Sequence, residues 1–183
     1  MHLLLQCGIV YVSLESNEDG SMEEGIQFVA PDREHICCFT GHRILPNDPT
    51  FLPRLEQAIC DMAANGVTCF FAGGALGFDT LAARTVLRLK MTQPALSLVL
   101  MLPHKGQADK WSRRDFLVYE AIKRGADQVI YVSEEYDPMC MFRRNQRLVD
   151  ASSHCICFLR KERSGTAYTV RYAKRQGIPI VFL

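Results

Sequence analysis

From Ile36 to the last residue the chain repeats one two-part pattern, and that pattern limits the fold more than any other feature. Short apolar runs occur at 36–40 (ICCFT), 67–72 (VTCFFA), 96–102 (LSLVLML), 128–132 (QVIYV), 154–159 (HCICFL) and 178–183 (IPIVFL). Each has the length of a strand, and most are apolar throughout rather than alternating, as burial on both faces requires. Between them, apolar residues fall at helical spacing. The five sets are Leu52, Leu55, Ile59 and Met62; Leu81, Val86 and Leu89; Phe116, Tyr119, Ile122 and Ala126; Met141, Leu148 and Val149; and Ala167, Val170 and Ala173. Strand then helix, repeated, predicts a single three-layer α/β domain with a mostly parallel sheet of about six strands and right-handed crossovers.

The punctuation agrees with this reading. Asp48-Pro49 and Asp137-Pro138 are turn-and-cap signals ahead of helices. Gly66, Gly125 and Gly177 each follow a helical run and precede a strand, where a left-handed cap is expected. Residues 1–34 fall outside the alternation. LLLQCGIVYVSL is compatible with an extra edge strand, and ESNEDGSMEEG reads as a solvated acidic turn. The chain therefore divides into an N-terminal appendage, 1–34, and a domain, 35–183.

Hydrophobic content of 48% and charged content of 22% suit a soluble globular protein. The net charge is +1, but residues 1–35 hold seven acids against Arg33 alone, a balance of −6, which leaves +7 on the remainder. A basic body suggests an anionic partner. The eight cysteines include no Cys-x-x-Cys pair and no histidine at metal-ligand spacing, so no metal site is expected. Cys37, Cys38, Cys69, Cys155 and Cys157 lie in apolar runs and read as buried, reduced core residues, which points to the cytoplasm. No apolar run is long enough to span a bilayer, and the apolar start lacks a basic region and a cleavage site, so neither a membrane nor a secretory signal is expected.

In a parallel α/β sheet, ligands bind beyond the carboxyl ends of the strands. Gly73-Gly74-Ala75-Leu76-Gly77 lies at such an end, between a strand and a helix. Its glycines permit close backbone approach, and the helix start offers free N–H groups to a phosphate. A tight turn with glycines kept only for packing is the competing reading. No lysine makes this a Walker loop, and no acid follows at the distance a dinucleotide fingerprint needs. Asp79, in the first helical turn, either complements the dipole or accepts hydrogen bonds from a ribose or a basic residue. After the first strand, Gly41, His42 and Arg43 are candidates to hold a phosphate. Ser164, Gly165 and Thr166 open the last helix and repeat the anion-cradle logic. Arg143, Arg144 and Arg147 share a helix with Asn145, and the spacing puts Arg144 and Arg147 on one face.

CCFTGHR, GGALGFDTLAA, LPH…QADKW, RRNQRLVD and SGTAYTVRYAKRQGIPI, in that order, resemble the YpsA-like branch of the SLOG superfamily. These Rossmann-like proteins are related to the DNA-processing protein DprA and the cytokinin-activating LOG phosphoribohydrolases. The resemblance runs from about Ile36 to Leu183 and implies a nucleotide or nucleotide-derivative pocket at the strand ends. It would be lined by Gly41, His42, Arg43, Gly73, Gly74, Gly77, Asp79, Arg144, Asn145, Gly165 and Thr166. Trp111 also falls on a motif, although a lone helical Trp is usually a packing residue. LOG enzymes carry Pro-Gly-Gly-x-Gly-Thr-x-x-Glu at the last loop. Thr169 stands where its glutamate would be, and a threonine cannot supply a catalytic carboxylate.

The expectation is a cytoplasmic binding or regulatory module for a nucleotide-derived small molecule, with no cofactor required; the resemblance also implies a homodimer. One alternative is hydrolysis of a nucleotide N-glycosidic bond, with Asp79 or Glu162 as the substitute acid. The other is DprA-like binding of single-stranded DNA through Arg143, Arg144, Arg147 and the basic run 160–175.

Overall fold

The computed structural model describes residues 9–11, 26–28 and 30–183. Two short strands, β1 (Ile9–Tyr11) and β2 (Ile26–Phe28), pair antiparallel with each other. The strand expected near residue 9 therefore joins β2 and not the main sheet. The acidic stretch at 15–25 lies outside the described residues.

The six apolar runs become β3 (Ile36–Gly41), β4 (Cys69–Ala72), β5 (Ser97–Leu102), β6 (Gln128–Tyr131), β7 (His154–Phe158) and β8 (Ile180–Phe182). Every pairing among them is parallel, in the order β6-β5-β4-β3-β7-β8. The intervening helices are α1 (Phe51–Ala64), α2 (Phe78–Lys90), α3 (Arg113–Gly125), α4 (Cys140–Asp150) and α5 (Gly165–Arg175). Starting at β3, the chain steps outward through β4, β5 and β6. It then returns past its starting strand to add β7 and β8 on the other side. The direction of winding reverses between β3 and β7, so the loops that leave these two strands diverge and open a crevice at their carboxyl ends.

The pleat sorts β3 side chains between two cores. Cys37 and Phe39 pack with Leu55 and Ile59 of α1, Phe78 and Val86 of α2, and Tyr119 and Ile122 of α3. Ile36 and Cys38 pack with Leu148 and Val149 of α4 and Val170 and Ala173 of α5. Strands buried on both faces need apolar residues at every position, which is why these runs do not alternate. All seven described cysteines are free thiols, and six are buried. Burial pushes the Cys69 and Cys157 thiols up to about 12, so they behave as small apolar residues. Among the described residues no group of three or more His, Cys, Asp or Glu could hold a metal ion, and no helix is long and apolar enough to cross a membrane.

Several local expectations need correction. Leu52 and Phe116 face solvent rather than the core; Phe51, Ala58 and Tyr119 carry that role in their helices. Gly66 and Gly177 have positive φ, at 90° and 70°, but Gly125 does not, and it lies inside the last turn of α3. A Cβ on Gly125 would stand 3.1 Å from Leu87 Cδ1, so this glycine answers to close helix packing. Asp48 and Asp137 act one step before their helices, each accepting the backbone N–H two residues on, at 2.8 and 2.9 Å.

Candidate functional site

The crevice has a volume of about 310 Å³ and is built by three elements of the winding reversal. The end of β3 contributes Thr40, Gly41, His42 and Arg43. One face of α4 contributes Met141, Arg144, Asn145 and Leu148, spaced i, i+3, i+4, i+7. The start of α5 contributes Ser164, Gly165 and Thr166; Ala75 and Asp79 close the side toward α2.

Arg144 is the dominant charge. It is 6% exposed, as is Asp79, and its Nη1 lies 3.6 Å from Asp79 Oδ2. That distance gives Coulombic attraction but no hydrogen bond. Nε and Nη1 of Arg144 are buried without a hydrogen-bond partner among the described residues. Burial pushes the Asp79 carboxyl above its ordinary range, opposed by Arg144 and by the backbone N–H groups of Ala75 and Gly73. Burial likewise lowers Arg144, opposed by Asp79. A guanidinium keeps its proton under these conditions, so the crevice contains a buried cation with unused donors.

The start of α5 lies beside it. Ser164 caps the helix, its Oγ accepting the Ala167 N–H at 3.1 Å and donating to the Lys161 carbonyl at 3.0 Å. The amides of Gly165 and Thr166 make no hydrogen bond among the described residues. Both residues line the crevice, where the helix dipole adds positive potential. An ideal Cβ on Gly165 meets nothing within 4 Å. Arg43, exposed at the mouth, has no ion-pair or hydrogen-bond partner among the described residues. His42 is tied down: its Nε2 accepts the Lys161 N–H at 3.1 Å, which places the proton of the neutral ring on Nδ1. Burial, Lys161 and Arg160 hold its pKa below the ordinary value.

Gly73, Gly74 and Gly77 of the glycine loop do not line the crevice. Of this loop only Ala75 lines the crevice. A Cβ on Gly73 would fall 1.4 Å from Arg144 Nη1, and one on Gly74 would fall 2.4 Å from Leu102 Cδ2. On Gly77 it would fall 2.1 Å from the Arg43 carbonyl oxygen, and on Gly41 2.3 Å from the Phe78 ring. Each glycine makes room for the protein's own atoms. The Ala75 N–H donates to Asp79 Oδ2 at 3.3 Å, and the Phe78 N–H to the His42 carbonyl at 3.1 Å. Asp79 thus serves as an internal anion where an incoming one was expected. The free backbone amides that line the crevice are those at the start of α5.

The arginines separate as well. Arg143 pairs on the surface with Asp137 and donates to Ser133 Oγ at 2.7 Å; Arg147 is exposed, whereas Arg144 is buried. Arg144 and Arg147 therefore do not present one basic face. Glu162 is exposed and does not line the crevice. Thr169 is buried and donates to the Gly165 carbonyl at 3.0 Å. Trp111 packs edge-on against Tyr119, with ring centroids 5.2 Å apart. Phe39, Thr40, Ala75, Met141 and Leu148 also line the crevice and are not among the site residues that the sequence singles out. The α4 pair could have been, because it flanks Arg144 and Asn145 at helical spacing.

A parallel sheet that reverses its winding and opens a crevice at the reversal defines a Rossmann-like domain. The family model that matches residues 51–178 agrees, and the chain belongs to the YspA SLOG family. It is 30% identical over 118 residues to the SPbeta prophage-derived protein YoqJ of Bacillus subtilis, covering 58% of this chain and 69% of that one. It is 28% identical over 124 residues to a UPF0398 protein of Halalkalibacterium halodurans, covering 66% of each. Among solved structures it is similar to DNA processing protein A from Helicobacter pylori, described for its single-stranded DNA binding mode. The TM-score is 0.60 at 18% identity, over 80% of this chain and 64% of that one. The Streptococcus pneumoniae protein gives 0.60 at 18%, over 81% and 50%. At this identity the likeness fixes the fold, and the chain spans only one half to two thirds of those two chains.

Proposed function

We propose that the protein is a cytoplasmic binding or regulatory module that holds a nucleotide-derived anion in the crevice between β3 and β7. The ligand is a nucleoside phosphate or a molecule of the ADP-ribose or NAD type. The observation that carries this reading is Arg144, whose buried guanidinium keeps Nε and Nη1 unused beside the free amides of Gly165 and Thr166. A phosphate there accepts from the Gly165 and Thr166 amides within the field of the Arg144 charge, and reaches Nε and Nη1 only as that side chain turns toward the crevice. Arg43 is placed to meet further negative charge, and Asn145 and the His42 Nδ1–H offer neutral donors. Of the described residues lining the crevice, Asp79 alone carries a carboxylate, and it is engaged by Arg144 and Ala75. Binding therefore explains the site with fewer assumptions than hydrolysis.

Thermal shift and calorimetry against AMP, ADP-ribose, NAD and unphosphorylated adenosine test the reading. The phosphorylated compounds should stabilise the protein and adenosine should not. If none of the phosphorylated compounds binds, the proposal fails. Binding of a single-stranded oligonucleotide with a steep salt dependence, in the absence of small-molecule binding, would favour the DNA reading, for which exposed Arg147 is the supporting observation.

A further inference from the structure

On the face covered by α1, α2 and α3, the seam between α2 and α3 is open to solvent. It forms a groove of about 330 Å³ lined by Arg84, Leu87, Val118, Ala121 and Ile122. Along α3, Arg114, Leu117, Val118, Ala121 and Arg124 recur at three- and four-residue steps and form one stripe. Arg84 and Leu87 of α2 and Met91, which caps it, do the same. Leu117 is 57% exposed and Met91 84%. The missing side chain of Gly125 lets the α3 backbone close on Leu87 at the far end.

Charge distinguishes this groove from an ordinary patch of surface apolar residues. Arg84, Arg114 and Arg124 are exposed, and their side chains make no ion pair or hydrogen bond among the described residues. Neighbouring cations are neutralised: Arg88 by Glu56, Lys90 by Asp127 and Lys123 by Glu120. Asp115, the nearest acid of α3, is engaged with Ser112 at the helix start. The floor is apolar and the rim is positive. Arg114 stands in the first turn of α3, where the helix dipole disfavours a cation, so helix stability does not call for it.

We propose that this groove docks an acidic amphipathic helix of a partner protein. Leucine-like side chains at i, i+3 or i+4, and i+7 would enter the floor over Leu87, Val118 and Ala121. Flanking glutamates or aspartates would meet Arg84, Arg114 and Arg124. A second copy of this chain is a poor occupant, because a two-fold arrangement of the same face sets arginine against arginine. The surface is remote in kind from the crevice: it lies on the outer sides of helices and not at strand ends, and neither proposal needs the other.

The test uses the full chain and a labelled peptide as long as α3, with leucines on one face and glutamates on its flanks. Fluorescence anisotropy should show binding that weakens as salt rises. Arg84→Glu, which reverses a rim charge, and Ala121→Gln, which fills the groove from an exposed helical position, should each weaken it by about tenfold or more. Equal binding of a peptide with lysines in place of the glutamates, or unchanged binding in both variants, overturns the proposal. So does sedimentation that finds wild-type dimers converted to monomers by Ala121→Gln, since the face would then be a self-interface.

Discussion

Asp79 and Arg144 belong to helices on opposite faces of the sheet, yet their charged atoms meet 3.6 Å apart beside Gly73. The pair ties α2 to α4 across the open end of β3. Removing one partner strands the other charge in the interior, which costs about 3–5 kcal/mol, whereas replacing both with apolar groups of similar volume is often tolerated. Asp79→Asn and Arg144→Met should therefore each destabilise strongly in urea melts. The double variant should lose much less than their sum. Strict additivity would mean that the two do not interact.

Gly73→Ala drives a methyl into the Arg144 guanidinium. A loss of about 1–3 kcal/mol is expected from overpacking, together with weaker anion binding as Arg144 is displaced. Gly165→Ala, with open space at its Cβ, should be neutral or stabilise by about 0.4–1 kcal/mol. Equal effects of the two changes in chemical denaturation would contradict this account of Gly73.

His42 links the β3 loop to the loop after β7 through a hydrogen bond that requires an unprotonated Nε2. Its folded pKa is held below 6.5. The unfolded chain then takes up the proton first as pH falls, so the His42 contribution is present above pH 6.5 and is lost below it. Melting temperatures between pH 8 and 5 should fall more steeply for the wild type than for His42→Asn. Parallel curves would remove His42 as a pH-sensitive tie.

Burial also predicts thiol reactivity. With the protein folded, iodoacetamide followed by mass spectrometry should find Cys60 modified ahead of Cys37, Cys38, Cys69, Cys140, Cys155 and Cys157, which should react only after unfolding. Early modification of Cys157 would contradict its place between α5 and the sheet.

All six strands of the main sheet and all five helices are legible in the sequence, because residues such as Phe70, Phe71, Leu98 and Val99 stay apolar on both faces of the pleat. The crevice is legible in part. His42, Arg43, Arg144 and Gly165 lie at strand ends and helix starts, positions that topology alone brings together. The role of a glycine is not legible in the same way. Gly73 and Gly165 look alike in sequence, but one makes room for the guanidinium of Arg144, delivered by α4 much later in the chain, and the other faces open space. Which arginine of Arg143, Arg144 and Arg147 is buried depends on how α4 is rotated against β3 and α5, a tertiary choice that helical spacing leaves open.

Gly165→Asp is the most direct probe of the crevice as an anion site. The substitution adds a carboxylate at the start of α5, where a side chain meets no steric obstacle and an acid suits the helix dipole, so folding is preserved. Calorimetric titration with AMP should show binding to the wild type and at least about tenfold weaker binding to the variant, at an unchanged melting temperature. Equal AMP affinity in the two proteins would contradict the central claim.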